Sequence, residues 1–331
     1  MSANLLKILI FVLAFIISSF SQSFALNDSL IVTGDVKTAL NLSLVDLKEM
    51  DSFHIANVTM LKERKPNEPE ERIGVYHFKG VLLRDILEKA GMKHVRKYEP
   101  GVYIKVIGEG GREVVFSFGE IFYSSIGRST LIAYEKDDRG IDAGDGLGEL
   151  VVATDLRSGR FIKGVREIRV ERVDIKMNVY EENKKNIIQP PTSELILTDK
   201  RTNKSLRISL EELKKMDVLN VEEAILTGDC VGFHGVYSFK GTALRSLLER
   251  IGVDPFSGAY DRYVVVSSEN GFSATFSFGE IFNSRLSDNI VIAYEKDGKL
   301  LSSEEAFAMS AVREDSLGGR SVRRISKIVI R

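Results

Sequence analysis

FSFGEIF, residues Phe116 to Phe122, returns letter for letter as Phe276 to Phe282, an offset of 160 residues. Seven identical residues in a row do not recur by composition, so the chain contains an internal duplication. At the same offset IAYEKD (Ile132 to Asp137) meets IAYEKD (Ile292 to Asp297). With one residue of slip, GVYHFKG (Gly74 to Gly80) meets GVYSFKG (Gly235 to Gly241). The chain is two copies of one domain.

Its 331 residues suffice for two domains that each bury a core. An apolar content of 44%, a charged content of 28% and six prolines describe a globular protein rather than a disordered or fibrous one. A net charge of −1 and no extended basic patch argue against nucleic acid as a partner. At the N-terminus Lys7 precedes the apolar run Ile8 to Ile17, then polar Ser18 to Ser23, and Ser23-Phe24-Ala25 offers small residues at the two positions a signal peptidase reads. Residues 1–25 therefore read as a cleaved Sec-type signal, giving a periplasmic or secreted protein that does not span the membrane after cleavage; an uncleaved anchor is the alternative. No later apolar run is long enough to cross a bilayer, and the signal has neither a twin-arginine pair nor a lipidation cysteine. With Cys230 the only cysteine, no intramolecular disulfide can form.

Each copy opens with an extended segment, Leu30 to Thr33 or Leu195 to Thr198, and a short amphipathic helix. The helix starts carry capping-box spacing, Ser43 with Asp46 and Ser209 with Glu212. After a strand, copy one enters the charged loop Lys62 to Arg72, which reads as a solvated insertion. Then come GVYHFKGVLLRDILEKAG and GVYSFKGTALRSLLERIG: alternation at Tyr76 and Phe78 predicts a half-buried strand, and Leu82, Leu83, Ile86, Leu87 and Ala90 predict a helix ended by Gly91. Hairpins follow at Val102 to Phe116 and Tyr263 to Phe276. In FSFGEIF itself, Ser117 and Glu120 have capping-box spacing, so the motif turns a strand into a short helix. IAYEKD is a strand entering a turn, marked by Asp297-Gly298. The closing strands are Val165 to Val173 and Val322 to Ile330.

This order resembles the oxidoreductase molybdopterin-binding domain, the fold of sulfite oxidase and its bacterial relatives. Three features carry the resemblance: the strand-glycine-leucine helix (Gly80 to Gly91, Gly241 to Gly252), the strand after FSFGEIF, and a glycine-arginine-x-apolar-basic tail. The tail is Gly159-Arg160-Phe161-Ile162-Lys163 and Gly319-Arg320-Ser321-Val322-Arg323. The resemblance implies an α+β fold, two tandem sulfite-oxidase-like domains of mixed sheet with short helices: 26–174 and 194–331, joined by a linker at 175–193. It implies molybdenum-molybdopterin as the cofactor, if one is held. In catalytic members a cysteine thiolate within Cys-x-Gly binds molybdenum, and Cys230-Val231-Gly232 matches in type and place. Arg320, Arg323 and Arg313 would then face the cofactor's phosphate.

Against this stand the bland readings. A lone cysteine is most often a small buried side chain. His234 beside Cys230 gives two ligands, too few for a metal site. Arg160, Lys163, Arg320 and Arg323 read equally as solubility devices beside an edge strand. The tail's glycine-rich approach, Gly144 to Gly148, lies in the copy without the cysteine. No nucleophile elbow, P-loop or dinucleotide fingerprint occurs. Two functions remain open. One is an envelope binding or interaction module without cofactor chemistry, its partner an envelope protein or a small anionic ligand. The other is a molybdopterin-dependent oxidoreductase using Cys230.

Overall fold

The computed structural model describes residues 29–64, 68–92, 101–142, 144, 146–173, 193–228, 232–269, 271–285, 287–302, 308–313, 315–316 and 318–331. The signal segment, almost all of the linker, and Cys230 lie outside these residues.

Each copy folds as two sheets around one core. In copy one the first sheet runs Leu40–Leu42, Leu30–Gly34, Glu167–Arg172, Val102–Ile107, Glu113–Ser117. Its opening strand pairs parallel with the closing strand, Ile31 opposite Glu167, while its other pairs are antiparallel. The closing strand therefore lies inside the sheet rather than at its edge. The second sheet is antiparallel, in the order Ile162–Val165, Leu147–Val152, Thr130–Lys136, Arg72–Leu82, Phe53–Leu61. Copy two repeats the first sheet strand for strand, including the parallel pair that sets Ile196 opposite Lys327. In its second sheet Val218–Gly228, Gly232–Ala243, Ile290–Lys296 and Met309–Val312 correspond, and among the described residues no strand stands at the place of Ile162–Val165.

The local signals act as the sequence predicts. Helices Leu83–Lys89 and Leu244–Arg250 bury Leu83, Ile86 and Leu87, or Leu244, Leu247 and Leu248, and Gly91 and Gly252 follow with φ of 86° and 98°, the left-handed ending open to glycine. The three predicted capping boxes form, at Ser43, Ser117 and Ser209, and the repeated motif makes a fourth at Ser277. The turn after IAYEKD has both central residues at positive φ, Asp137 and Asp138 or Asp297 and Gly298, as a tight two-residue hairpin requires. Leu30, Ile104 and Phe116 from one sheet meet Ile132, Leu150 and Val152 from the other, with the Leu83–Lys89 helix closing the same core.

The two copies meet along a seam of approximate two-fold symmetry. The Leu156 amide donates to the Asn283 carbonyl at 2.7 Å, and the Ser316 amide donates to the Tyr123 carbonyl at 2.9 Å, partners exchanged by the repeat offset. Tyr103 stacks on its counterpart Tyr263 with ring centroids 4.2 Å apart. Val115 and Val265 join these rings in an apolar cluster drawn from both copies. The contact pattern is that of an isologous dimer contained in one chain.

The two FSFGEIF helices, Phe118–Phe122 and Phe278–Phe282, lie at the centre of this seam. A Cβ at Gly279 would stand 2.3 Å from Cδ of Arg160, and one at Gly119 would stand 2.3 Å from Cδ of Arg320. Each arginine is fixed by carboxylates and cannot swing aside, so Gly279→Ala is expected to cost about 2–4 kcal/mol through overpacking and a weakened buried pair. Urea unfolding of the full chain checks this, with the exposed Gly140→Ala as the control.

Candidate functional site

The tail arginines belong to a dense buried cluster of charges at the seam. Arg160 is fully buried. Its guanidinium donates to both oxygens of Asp155, at 2.8 and 2.6 Å, and to Glu120, while its plane lies over the Phe116 ring at 4.8 Å. Arg320 repeats this with Asp315 at 2.8 and 2.5 Å, Glu280 at 2.7 Å, and Phe276 at 4.9 Å. The halves are cross-linked: Ser117 Oγ donates to Glu280 Oε1 at 2.9 Å, and Ser277 Oγ donates to Glu120 Oε2 at 2.7 Å. Asn283 adds a bond from its amide to Asp155 at 2.9 Å.

This corrects the reading of Arg160 and Arg320 as solubility devices at an edge. Both are interior, because each has a carboxylate five residues upstream, a capping glutamate on its own copy, and a glycine on the other copy that leaves room for the side chain. The repeated Asp-x-x-x-x-Arg spacing, Asp155 to Arg160 and Asp315 to Arg320, was the available sequence signal. Lys163, by contrast, is exposed, as are Arg313 and Arg323.

For a phosphate-bearing cofactor the fit is poor. Arg320 spends its guanidinium on Asp315, Glu280 and Ser117. Arg313 and Arg323 are both exposed. Cys230, the residue that would ligate the metal, lies outside the described residues, and Gly144 to Gly148 is only partly within them. Among the described residues no cluster of three His, Cys, Asp or Glu side chains is placed to hold a metal ion.

The charged loop is not simply solvated. Glu63 accepts a hydrogen bond from the Tyr260 hydroxyl of copy two at 3.0 Å, and Arg157 donates to Glu70 at 3.0 Å. Phe256 of copy two lies against the guanidiniums of both Arg64 and Arg157, each at 5.7 Å. The insertion clasps the second copy, and Tyr260 in turn packs into the first copy's core.

Beside the copy-one tail is a cleft of about 270 Å³, lined by Met60, Phe161, Glu109, Arg112, Glu149 and Lys163. Arg112 donates to the Gly159 carbonyl at its edge. Glu149 is 4% exposed, and burial raises its carboxyl above the ordinary glutamate range.

The model of the oxidoreductase molybdopterin-binding domain matches residues 23–179 and 185–331, and the chain belongs to that family. Among solved structures it is similar to the sulfane dehydrogenase SoxCD from Paracoccus pantotrophus, at 13% identity and a TM-score of 0.35, over 88% of this chain. The chain spans 63% of the length of that structure's chain. No curated protein matches it.

The seam network holds two more carboxylates than guanidiniums, all buried, and desolvation is the largest influence on the two that follow. Asp155 is pushed up to about 6 and Glu280 to about 7, against the opposing pull of Arg160 and Arg320. Folding therefore takes up protons that the unfolded chain, with ordinary carboxyls, has already released. The folded state is favoured below the unfolded values, and this contribution is lost as pH rises through about 6 to 7. The unfolding free energy from urea titrations should fall between about pH 5 and pH 8, by up to about 1.4 kcal/mol per pH unit for each proton held. Glu280→Gln should flatten that slope; an unchanged slope would place the linked proton elsewhere.

Proposed function

We propose that the protein is an exported binding or interaction module of the cell envelope, built on the molybdopterin-binding fold and working without molybdenum chemistry. The observation that carries this reading is the inward commitment of Arg160 and Arg320. Of the positions that the family resemblance assigns to cofactor phosphate, Arg320 is instead taken up by Asp315 and Glu280, as its repeat counterpart Arg160 is by Asp155 and Glu120, while Arg313 and Arg323 are exposed. Turning Arg320 to a phosphate would leave Asp315 and Glu280 buried without their cation, which costs about 3–5 kcal/mol for each broken pair. The Sec-type signal read in residues 1–25 would carry the chain across unfolded and without a preformed cofactor pocket, which fits the same reading. The partner on this reading is an envelope protein or a small ligand.

One feature favours the second reading, a molybdopterin-dependent oxidoreductase: Cys230-Val231-Gly232 stands ahead of the strand-glycine-helix block of copy two. Elemental analysis of the chain purified from its exported compartment separates the two. We expect far less than one molybdenum per chain, with no change on Cys230→Ser. Stoichiometric molybdenum that disappears in Cys230→Ser would overturn the binding-module proposal.

A further inference from the structure

The copy-one cleft contains a side chain that neither the fold nor the seam explains. Glu149 lies on the strand Leu147–Val152, every residue of which is buried, and it lines the cleft. Its carboxylate makes no hydrogen bond or ion pair among the described residues. Lys136 and its cross-strand neighbour Lys163 attract it electrostatically, but neither comes within ion-pair distance, and Lys163 is exposed at the cleft's rim. Burying a carboxylate in this way is costly unless something pairs with it.

The duplication supplies a control within the same molecule. Glu149 pairs in register with Ala133, and the corresponding Ala293 of copy two pairs with Met309. Met309 is fully buried. Likewise the Arg112 carbonyl accepts from the Gly108 amide at 3.0 Å, and in copy two the Phe272 carbonyl accepts from the Ser268 amide at 2.8 Å, so Phe272 stands in Arg112's place. The fold thus accepts an apolar residue at both positions, and copy two uses one. Copy one carries an unpaired acid and a cation there instead.

We propose that this cleft is a binding site for a small zwitterion of the α-amino acid class, its ammonium group paired with Glu149 and its carboxylate facing Lys163 and Arg112. This rests on reading the chain as a binding protein and names the ligand class of that protein. The three charges have the required order. The acid lies deep, where a desolvated ammonium can give it charge-assisted hydrogen bonds. The two cations stand at the exposed rim, where a carboxylate can keep part of its hydration. Met60 and Phe161 supply an apolar wall for a side chain. At about 270 Å³ the cleft suits a molecule of amino-acid size rather than a larger ligand. A simple anion is disfavoured by Glu149 and Glu109, and a simple amine leaves the rim cations unused.

The test is calorimetric titration of the full chain with each of the twenty L-amino acids, with methylammonium, acetate and inorganic phosphate as single-charge probes. At least one amino acid should bind more tightly than any single-charge probe. Glu149→Gln should weaken that binding at least ~10-fold, and Lys163→Ala should weaken it less. Glu149→Met, which imports the residue of copy two, should abolish binding and raise the unfolding temperature, as expected where a residue is kept for function against stability. No binding at millimolar amino acid would overturn the proposal. So would binding unchanged in Glu149→Met, or phosphate or acetate binding as tightly as the best amino acid. These outcomes are independent of the molybdenum content, so failure here and failure of the cofactor-free reading are separately visible.

Discussion

Everything at the centre of this molecule depends on burying two guanidinium groups. A buried arginine is tolerable only when its charge is matched and its donors are satisfied, and Arg160 achieves this with Asp155, Glu120 and the face of Phe116. It also needs space, which Gly279 of the other copy provides by lacking a side chain. Arg320 makes the same demands on Asp315, Glu280, Phe276 and Gly119. Each arginine finds its ion pairs within its own copy, and the other copy packs over them and crosses to them through Ser117 and Ser277. Neither repeat taken alone would keep its network dry, so folding of the copies and closure of the seam are one constraint.

That constraint explains why FSFGEIF survives unchanged twice. The serine caps a helix and donates across the seam; the glutamate completes the capping box and holds an arginine; the glycine permits close approach. Phe116 and Phe276 lie under the guanidiniums, and Ile121 and Ile281 fill the cores. No position in the motif that touches the seam is spare. The repeated word is architectural.

Much of the fold was readable from the chain because its determinants are local. Capping boxes, the glycine after each leucine helix and the two-residue turns are fixed by residues within about four positions of one another, which a linear reading sees directly. The fate of Arg160 was not readable in the same way. Its glutamate stands forty residues upstream and its glycine lies in the other repeat, so apart from Asp155 five residues before it nothing nearby distinguishes it from the exposed Lys163 three residues later. The placement of the closing strands inside their sheets was hidden for the same reason: the parallel partner is the first strand of each copy. The charged loop read as solvated because its contacts, Tyr260 and Phe256, belong to the other copy.

Among the described residues every buried acid but Glu149 is paired with an arginine, including the unrepeated Asp199 with Arg262. Glu120, Asp155, Glu280 and Asp315 recur in both copies, and every one is paired with an arginine. Repetition and pairing together are what a structural role produces, since both halves of a symmetric seam must satisfy the same electrostatics. Glu149 occurs once, is unpaired, and faces a cleft, while its counterpart Met309 shows that the position needs no charge to fold. A costly residue that the fold does not require, and that its twin has replaced, is the kind of residue selection for binding leaves behind. In a protein made of two nearly equal halves, function is to be sought where the halves have stopped agreeing. The cleft of copy one is such a place within the described residues.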